Sequence, residues 1–305
     1  MSFNVRPQFD WRLRSRSLAL GPRTLIMGIL NATPDSFSDG GRFLDHHAAL
    51  THALQMLDEG ADILDLGGES TRPSSTPITP QEEQSRVLPI LRAILAARPD
   101  AILSIDTYHA ETARLAIEAG AEIVNDVSGF LWDDAMAATC AVLKCGAILM
   151  HTRGRPHQWR SLPALAPAEV LPLVLGELNE RAQAALAAGI AHESIVIDPG
   201  FGFGKAFDEN FPLLAHLDAL HTLGFPLLVG LSRKGFLRHA LADNVPAKVT
   251  GAPQSDSEMW VSATTAANTA AILAGAHILR VHDVRPVRAA AAIADRILAA
   301  AAVTT

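Results

Sequence analysis

The sequence predicts a (β/α)8 TIM barrel, an α/β fold, preceded by a short N-terminal β-hairpin. Three observations carry this. Eight short runs of aliphatic and β-branched residues alternate with longer Ala/Leu-rich stretches, the pattern of a parallel sheet covered on both faces. The longer stretches repeat apolar residues at helical spacing, and several stop at Gly-Ala, at Gly60, Gly120 and Gly275, as a glycine just past a helix end would require. Every run also ends in polar residues, and strand ends are where such a barrel builds its site. A doubly wound open sheet is the alternative that periodicity alone leaves in place.

The elements follow in order. Residues 10–21 (DWRLRSRSLALG) alternate polar and apolar side chains and read as a hairpin plugging the bottom of the barrel. Strands are expected at 24–30 (TLIMGIL), 62–67 (DILDLG), 101–106 (AILSID) and 122–126 (EIVND). The other four are 146–151 (GAILMH), 194–198 (SIVID), 226–230 (PLLVG) and 277–281 (HILRV). Residues 242–259 read as a polar surface loop within the seventh helical layer, and 289–303 as an Ala-rich helix. No tandem repeat or low-complexity linker divides the chain, so its 305 residues are expected to form one domain, with the barrel over 24–300.

Composition narrows the function. Hydrophobic residues make up 49% and charged residues 19%, which suits a large core under a modest surface. The net charge of -7 and the lack of a basic block argue against nucleic acid as a partner. No run of about 18 apolar residues suggests a membrane span, and the first residues lack the apolar centre of a signal peptide. Cys140 and Cys145 sit in an apolar helical stretch and read as reduced packing residues of a cytoplasmic protein.

The stretch 194–205 (SIVIDPGFGFGK) looks like a phosphate loop but fits neither the dinucleotide fingerprint nor the P-loop spacing. The carboxylate of Asp198 at its mouth would repel an anion. The other strand ends explain it. Asp106, Asn125 and Asp198 are suited to a flat, amine-rich heterocycle, because a carboxylate accepting from a ring N–H and an adjacent NH2 makes a planar bidentate pair. Ser232, Arg233, Lys234, Arg280 and His282 supply donors and positive charge near strands seven and eight, where barrels often hold phosphate.

Other positions carry plainer readings. Asp65 reads equally well as a bond to neighbouring loops, and Arg153 and Arg233 as surface or interface residues. Lys205 is expected to face solvent, and His46, His47, His52, His216 and His221 to lie on helix surfaces. Lys234 has two readings, a Schiff-base lysine or a hydrogen-bonding cation.

Eight motifs, ILNATPDSFSDGG, DLGGESTRP, SIDTY, VNDVSG, LMH-x-RG, DPGFGFGK, GLSRKG and RVHDV, stand in this order across roughly residues 24–300. In this the chain resembles the dihydropteroate synthase family. The resemblance implies a (β/α)8 barrel that joins a dihydropterin-hydroxymethyl diphosphate to 4-aminobenzoate and releases pyrophosphate, in folate synthesis, and that is the target of sulfonamides. It implies pterin contacts from Asp106, Asn125, Asp198 and Lys234, and diphosphate contacts from Thr71, Arg280 and His282. It also implies aminobenzoate contacts from Arg72, Phe203 and Lys234, a Mg2+ ligand in Asn31, and catalytic roles for Asp106, Lys234 and Arg280. The 31–41 and 67–75 loops match mobile lids, and the family is usually a homodimer.

Three departures stand out. The 150–161 loop reads MHTRGRPHQWRS, Ala206 follows Lys205 where Thr or Ser is frequent, and Gly235 stands where Ser is common. Two other functions share these features, a pterin-dependent methyltransferase and a catalytically silent pterin-binding paralogue. A methyltransferase needs no diphosphate cage, against which the SRK and RVHD segments argue, and pyrophosphate release separates the paralogue.

Overall fold

A computed structural model of the protein describes residues 6–32, 41–69, 77–244 and 258–302, with the side chains of 41–45 excepted. The hairpin strands β1 (Phe9–Arg12) and β2 (Ser17–Leu20) pair antiparallel. The barrel strands are β3 (Leu25–Asn31), β4 (Ile63–Gly67), β5 (Leu103–Asp106), β6 (Ile123–Asp126), β7 (Gly146–Met150), β8 (Ile195–Asp198), β9 (Leu228–Val229) and β10 (Ile278–Val281). They pair parallel in the order β8-β7-β6-β5-β4-β3-β10-β9. A parallel bridge from Ile197 to Leu227, with the Ile197 N–H donating to Pro226 O at 3.0 Å, brings the two edges together and closes the barrel. The eight strand positions read from the sequence all hold. The seventh is shorter than 226–230 at its start, where Pro226 has no N–H to give to the ladder and the Leu227 N–H is taken by His277 Nδ1 at 3.0 Å.

The expected helix stops are also present. After Gly60, Gly120 and Gly275, all at positive φ, Ala61, Ala121 and Ala276 donate back to Met56, Ala116 and Ala271. This is the wrapped-back bond of a glycine-terminated helix. Helices cover the outside of the sheet and bury its outward aliphatic face. Cys140 and Cys145 are buried and free, and no described helix is long and apolar enough to cross a membrane. His221 departs from expectation. It turns inward over Gly275, where a Cβ would sit 2.3 Å from its Nε2, so it is not a surface residue.

Inside the barrel the strand period of two separates a dry half from a polar half. Leu25, Met27, Ile63, Ile123, Ile148, Val196, Leu228 and Ile278 pack at one end with Trp11, Leu13 and Leu20 of the hairpin region. Trp11 is fully buried and its Nε1 donates to Ser194 O at 2.9 Å. The plug is close-fitting: a Cβ on Gly146 would come within 2.7 Å of Leu13 and 3.2 Å of Trp11. Two residues further along four of these strands, on the same face, stand Asp65, Asn125, Asp198 and Arg280. The sealed bottom thus forces every inward polar residue to the other mouth.

Candidate active site

The floor of that mouth is a charged cluster centred on Arg280. Its Nε donates to Asp65 Oδ2 at 2.6 Å and its Nη2 to Asp106 Oδ2 at 2.5 Å. Asp65 also accepts from Asn125 Nδ2 at 2.8 Å, which leaves the Asn125 Oδ1 as the atom able to accept from a ligand. Asp65 is fully buried, whereas the side chains of Arg280 and Asp106 remain about one-fifth exposed, at 20% and 21%. The sequence left Asp65 between two readings. In the fold it bonds neither a loop nor solvent; it anchors the two residues that line the floor.

Two strands end by the same local device with different outcomes. Asp198 precedes Pro199, which cannot extend the ladder, and its Oδ1 accepts the Gly200 N–H at 2.7 Å. The turn engages this one oxygen of the carboxylate. Asp126 accepts from the Ser128 N–H and hydroxyl, each at 2.7 Å, and from the Phe130 N–H at 3.2 Å. That consumes it in its own turn, so the neighbouring Asn125 is the site residue of this strand. Gly200 at φ +64 has no alternative: a Cβ would lie 1.9 Å from His151 O.

The remaining predicted residues converge on this mouth in part. Lys234 Nζ lies 4.0 Å from the centre of the Phe203 ring. Asn31 Oδ1 and Asp106 Oδ2 lie 3.7 and 3.6 Å from the place of a Cβ on Gly67, which puts both side chains over that glycine. His282 is held by Ser232, whose Oγ lies 3.0 Å from its Nδ1. Arg233 pairs with Asp283 at 2.9 Å, in keeping with its surface reading. Thr71, Arg72 and most of both expected lids fall outside the described residues. Lys205 is a correction. It is 3% exposed, not solvent-facing, because its Nζ is taken by His151 Nδ1 at 2.8 Å and Phe203 O at 3.1 Å. Its stem folds back under the loop, an arrangement that no local spacing signals.

Burial sets the electrostatics. It pushes the Asp106 carboxyl up to about 7, even though Arg280 opposes the shift. Burial likewise raises Asp198 to about 6 and lowers the Lys234 ammonium to about 8, against the pull of Asp198. Burial also disfavours the Arg280 charge, but Asp65 and Asp106 outweigh it and hold the guanidinium protonated. Three acidic side chains, Asp65, Asp106 and Asp198, stand around Arg280 and Lys234, with Lys205 also acting on Asp198. The mouth is rich in acceptors and suits a cationic or proton-donating ligand.

A pH profile follows from these values. Below about 7 Asp106 takes a proton and below about 6 Asp198 also loses an acceptor; above about 8 Lys234 loses its charge. The kcat/KM of the free enzyme is expected to be bell-shaped between these limbs. Lys234→Arg should abolish the alkaline limb at reduced activity, since a guanidinium stays charged. An unchanged alkaline limb in that variant would assign it to another group.

Comparison with known proteins covers most of the chain. The profile of a family described as pterin binding enzyme matches residues 27–282. A curated relative from Clostridium beijerinckii named dihydropteroate synthase is 40% identical over 288 residues, 94% of this chain and 99% of the relative. The chain belongs to the dihydropteroate synthase family. Two solved structures of the Xanthomonas albilineans dihydropteroate synthase superpose over 96% of this chain and 99% of theirs. One, with 4-aminobenzoic acid, gives a TM-score of 0.82 at 39% identity. The other, in complex with 7,8-dihydropteroate, gives 0.79 at 38%. The family likeness read from eight motifs is therefore matched in sequence and in fold.

Proposed function

We infer that this chain is a dihydropteroate synthase, a transferase that joins the methylene of (7,8-dihydropterin-6-yl)methyl diphosphate to the nitrogen of 4-aminobenzoate and releases pyrophosphate. The observation that carries the reading is the convergence of Asp106, Asn125 and Asp198 on one mouth with an excess of acceptors. The Asp198 carboxylate takes the ring N–H and NH2 as a bidentate pair, Oδ1 using the lone pair that Gly200 leaves, and Asn125 Oδ1 adds an acceptor. As the carbon–oxygen bond breaks, positive charge spreads from the methylene into the pterin. Asp106, fixed by Arg280 and partly withdrawn from water, stabilises that charge more than bulk water would. His282 and the remaining Arg280 donor capacity serve the departing diphosphate, with Thr71 from the second loop. The aryl amine then attacks beside Phe203 and Lys234, with Arg72 on the same side. Its carboxylate is served by the exposed N-terminus of the helix Gly235–Asn244. A Cβ on Gly235 would meet nothing within 4 Å, so the missing serine hydroxyl leaves the backbone N–H accessible.

We read Mg2+ as entering with the diphosphate, since this ion commonly keeps few protein ligands and completes its shell with phosphate and water. Asn31 would supply one of them, and the ion would neutralise the leaving diphosphate.

Pyrophosphate release with the pterin diphosphate, measured with and without 4-aminobenzoate, tests the function. Release that depends on the amine is expected. No release would leave a silent pterin-binding paralogue, and methyl transfer without the diphosphate would leave the methyltransferase. Lys234 is read as a cation, because the substrate offers no aldehyde or ketone carbon. Borohydride with substrate should therefore trap nothing on it, and a substrate-sized mass increase at Lys234 would overturn the mechanism.

We further read the chain as one cytoplasmic barrel domain that forms a homodimer. The two unpaired cysteines support the compartment. Ile293 and Ile297, 66% and 38% exposed, lie one turn apart on the last helix and support a self-association face. Sedimentation at the monomer mass would exclude the dimer.

A further inference from the structure

Lys205 belongs to a buried polar chain that the pterin chemistry does not use. Its ammonium contacts His151 Nδ1 at 2.8 Å, and His151 is fully buried. The other ring nitrogen, Nε2, faces the Glu177 carboxylate at 3.2 Å, and Arg181 holds Glu177 at 3.0 Å. Burial lowers Lys205 well below the ordinary lysine range and, with Lys205 beside it, takes His151 down to about 3. His151 is therefore the neutral acceptor and Lys205 the donor. An apolar pair would fill this space at less cost, because burying an amine is unfavourable unless its hydrogen bonds are replaced. The fold keeps this amine where its second bond reaches one atom, the Phe203 carbonyl, at 3.1 Å.

The loop is pinned on either side of Phe203, where the Gly202 N–H donates to Asn210 Oδ1 at 2.7 Å and Arg153 Nη1 to Gly204 O at 2.9 Å, which leaves the Phe203 peptide itself to be fixed. Gly200, Gly202 and Gly204 around it are all at positive φ and bring no side chains of their own to restrain the chain. The Arg153 N–H reaches the same carbonyl only at 3.4 Å. On the far side of the peptide, the Phe203 ring meets Lys234 Nζ at 4.0 Å and the edge of Trp159 at 5.3 Å.

We propose that Lys205 is a positioning residue for the aryl-amine substrate: clamped between His151 Nδ1 and the Phe203 carbonyl, it fixes the Phe203 ring against Lys234 and so sets the slot in which the amine lies. The proposal rests on the synthase reading above. Losing the hydrogen bond at this carbonyl is expected to raise the KM for 4-aminobenzoate roughly tenfold in Lys205→Met. The KM for the pterin diphosphate should stay within about twofold, as expected when only one substrate's binding is disturbed.

A second pair of variants keeps the test open if Lys205→Met does not fold. His151→Asn places an amide oxygen where Nδ1 stands and should hold the amine KM near the wild-type value. His151→Gln reaches the place of Nε2 instead and should resemble Lys205→Met. A merely structural role would lower thermal stability without separating the two substrates or the two amides. An unmoved amine KM, an equal rise in both KM values, or equivalent Asn and Gln variants would overturn the proposal. A wild-type protein that releases no pyrophosphate would overturn the synthase reading, and this inference with it.

Discussion

Arg280→Met is expected to destabilise the protein by about 3–5 kcal/mol, the cost of breaking a buried ion pair by removing one partner. The guanidinium bonds Asp65 at 2.6 Å and Asp106 at 2.5 Å. Asp65 is fully buried and has no water to turn to. Without the cation the two carboxylates face each other, and one must take up a proton to relieve the repulsion. Urea unfolding measures the loss, and adding Asp65→Asn to the same chain should recover part of it. Such recovery is the sign of coupled sites, not of two independent defects. Catalysis should fall as well, since Asp106 would hold its proton above about 7 and cease to stabilise a cationic pterin. A loss below about 1 kcal/mol, the range of exposed pairs, would show that the floor does not depend on Arg280.

Asp198→Asn is expected to weaken pterin binding by roughly 2–4 kcal/mol, while leaving the fold intact. The direction follows from the Gly200 N–H, which already donates to Asp198 Oδ1 at 2.7 Å. An amide at this position must keep its oxygen on Gly200, because the reverse orientation would set two donors against each other. Its NH2 then points at the ligand, opposite the pterin amine. The charged acceptor is lost and a donor–donor clash is added, which corresponds to roughly 30- to 1000-fold in Kd. Calorimetry with the pterin diphosphate reads this directly, and an unchanged affinity would remove Asp198 from the site.

The chain's alternation of aliphatic runs and helical stretches was enough to place all eight barrel strands, the hairpin plug and the glycine-terminated helices. These depend on periodicity and on local backbone freedom, which neighbouring residues specify. The strand-end rule also brought Asp106, Asn125, Asp198, Lys234 and Arg280 to one mouth, because side-chain alternation fixes which residues share a face. Tertiary structure decided the partners. Arg280 meets Asp106 across 174 positions of sequence and Asp65 across 215, so nothing local marks Asp65 as the anchor of the floor. Asp126 and Asn125 are adjacent in sequence, yet only the turn geometry shows that one is spent on its own backbone. Lys205 was misread for the same reason. A lysine after three glycines suggests an exposed loop, and only the tertiary fold brings His151 from the neighbouring strand end to join the Phe203 carbonyl as an acceptor for the buried amine.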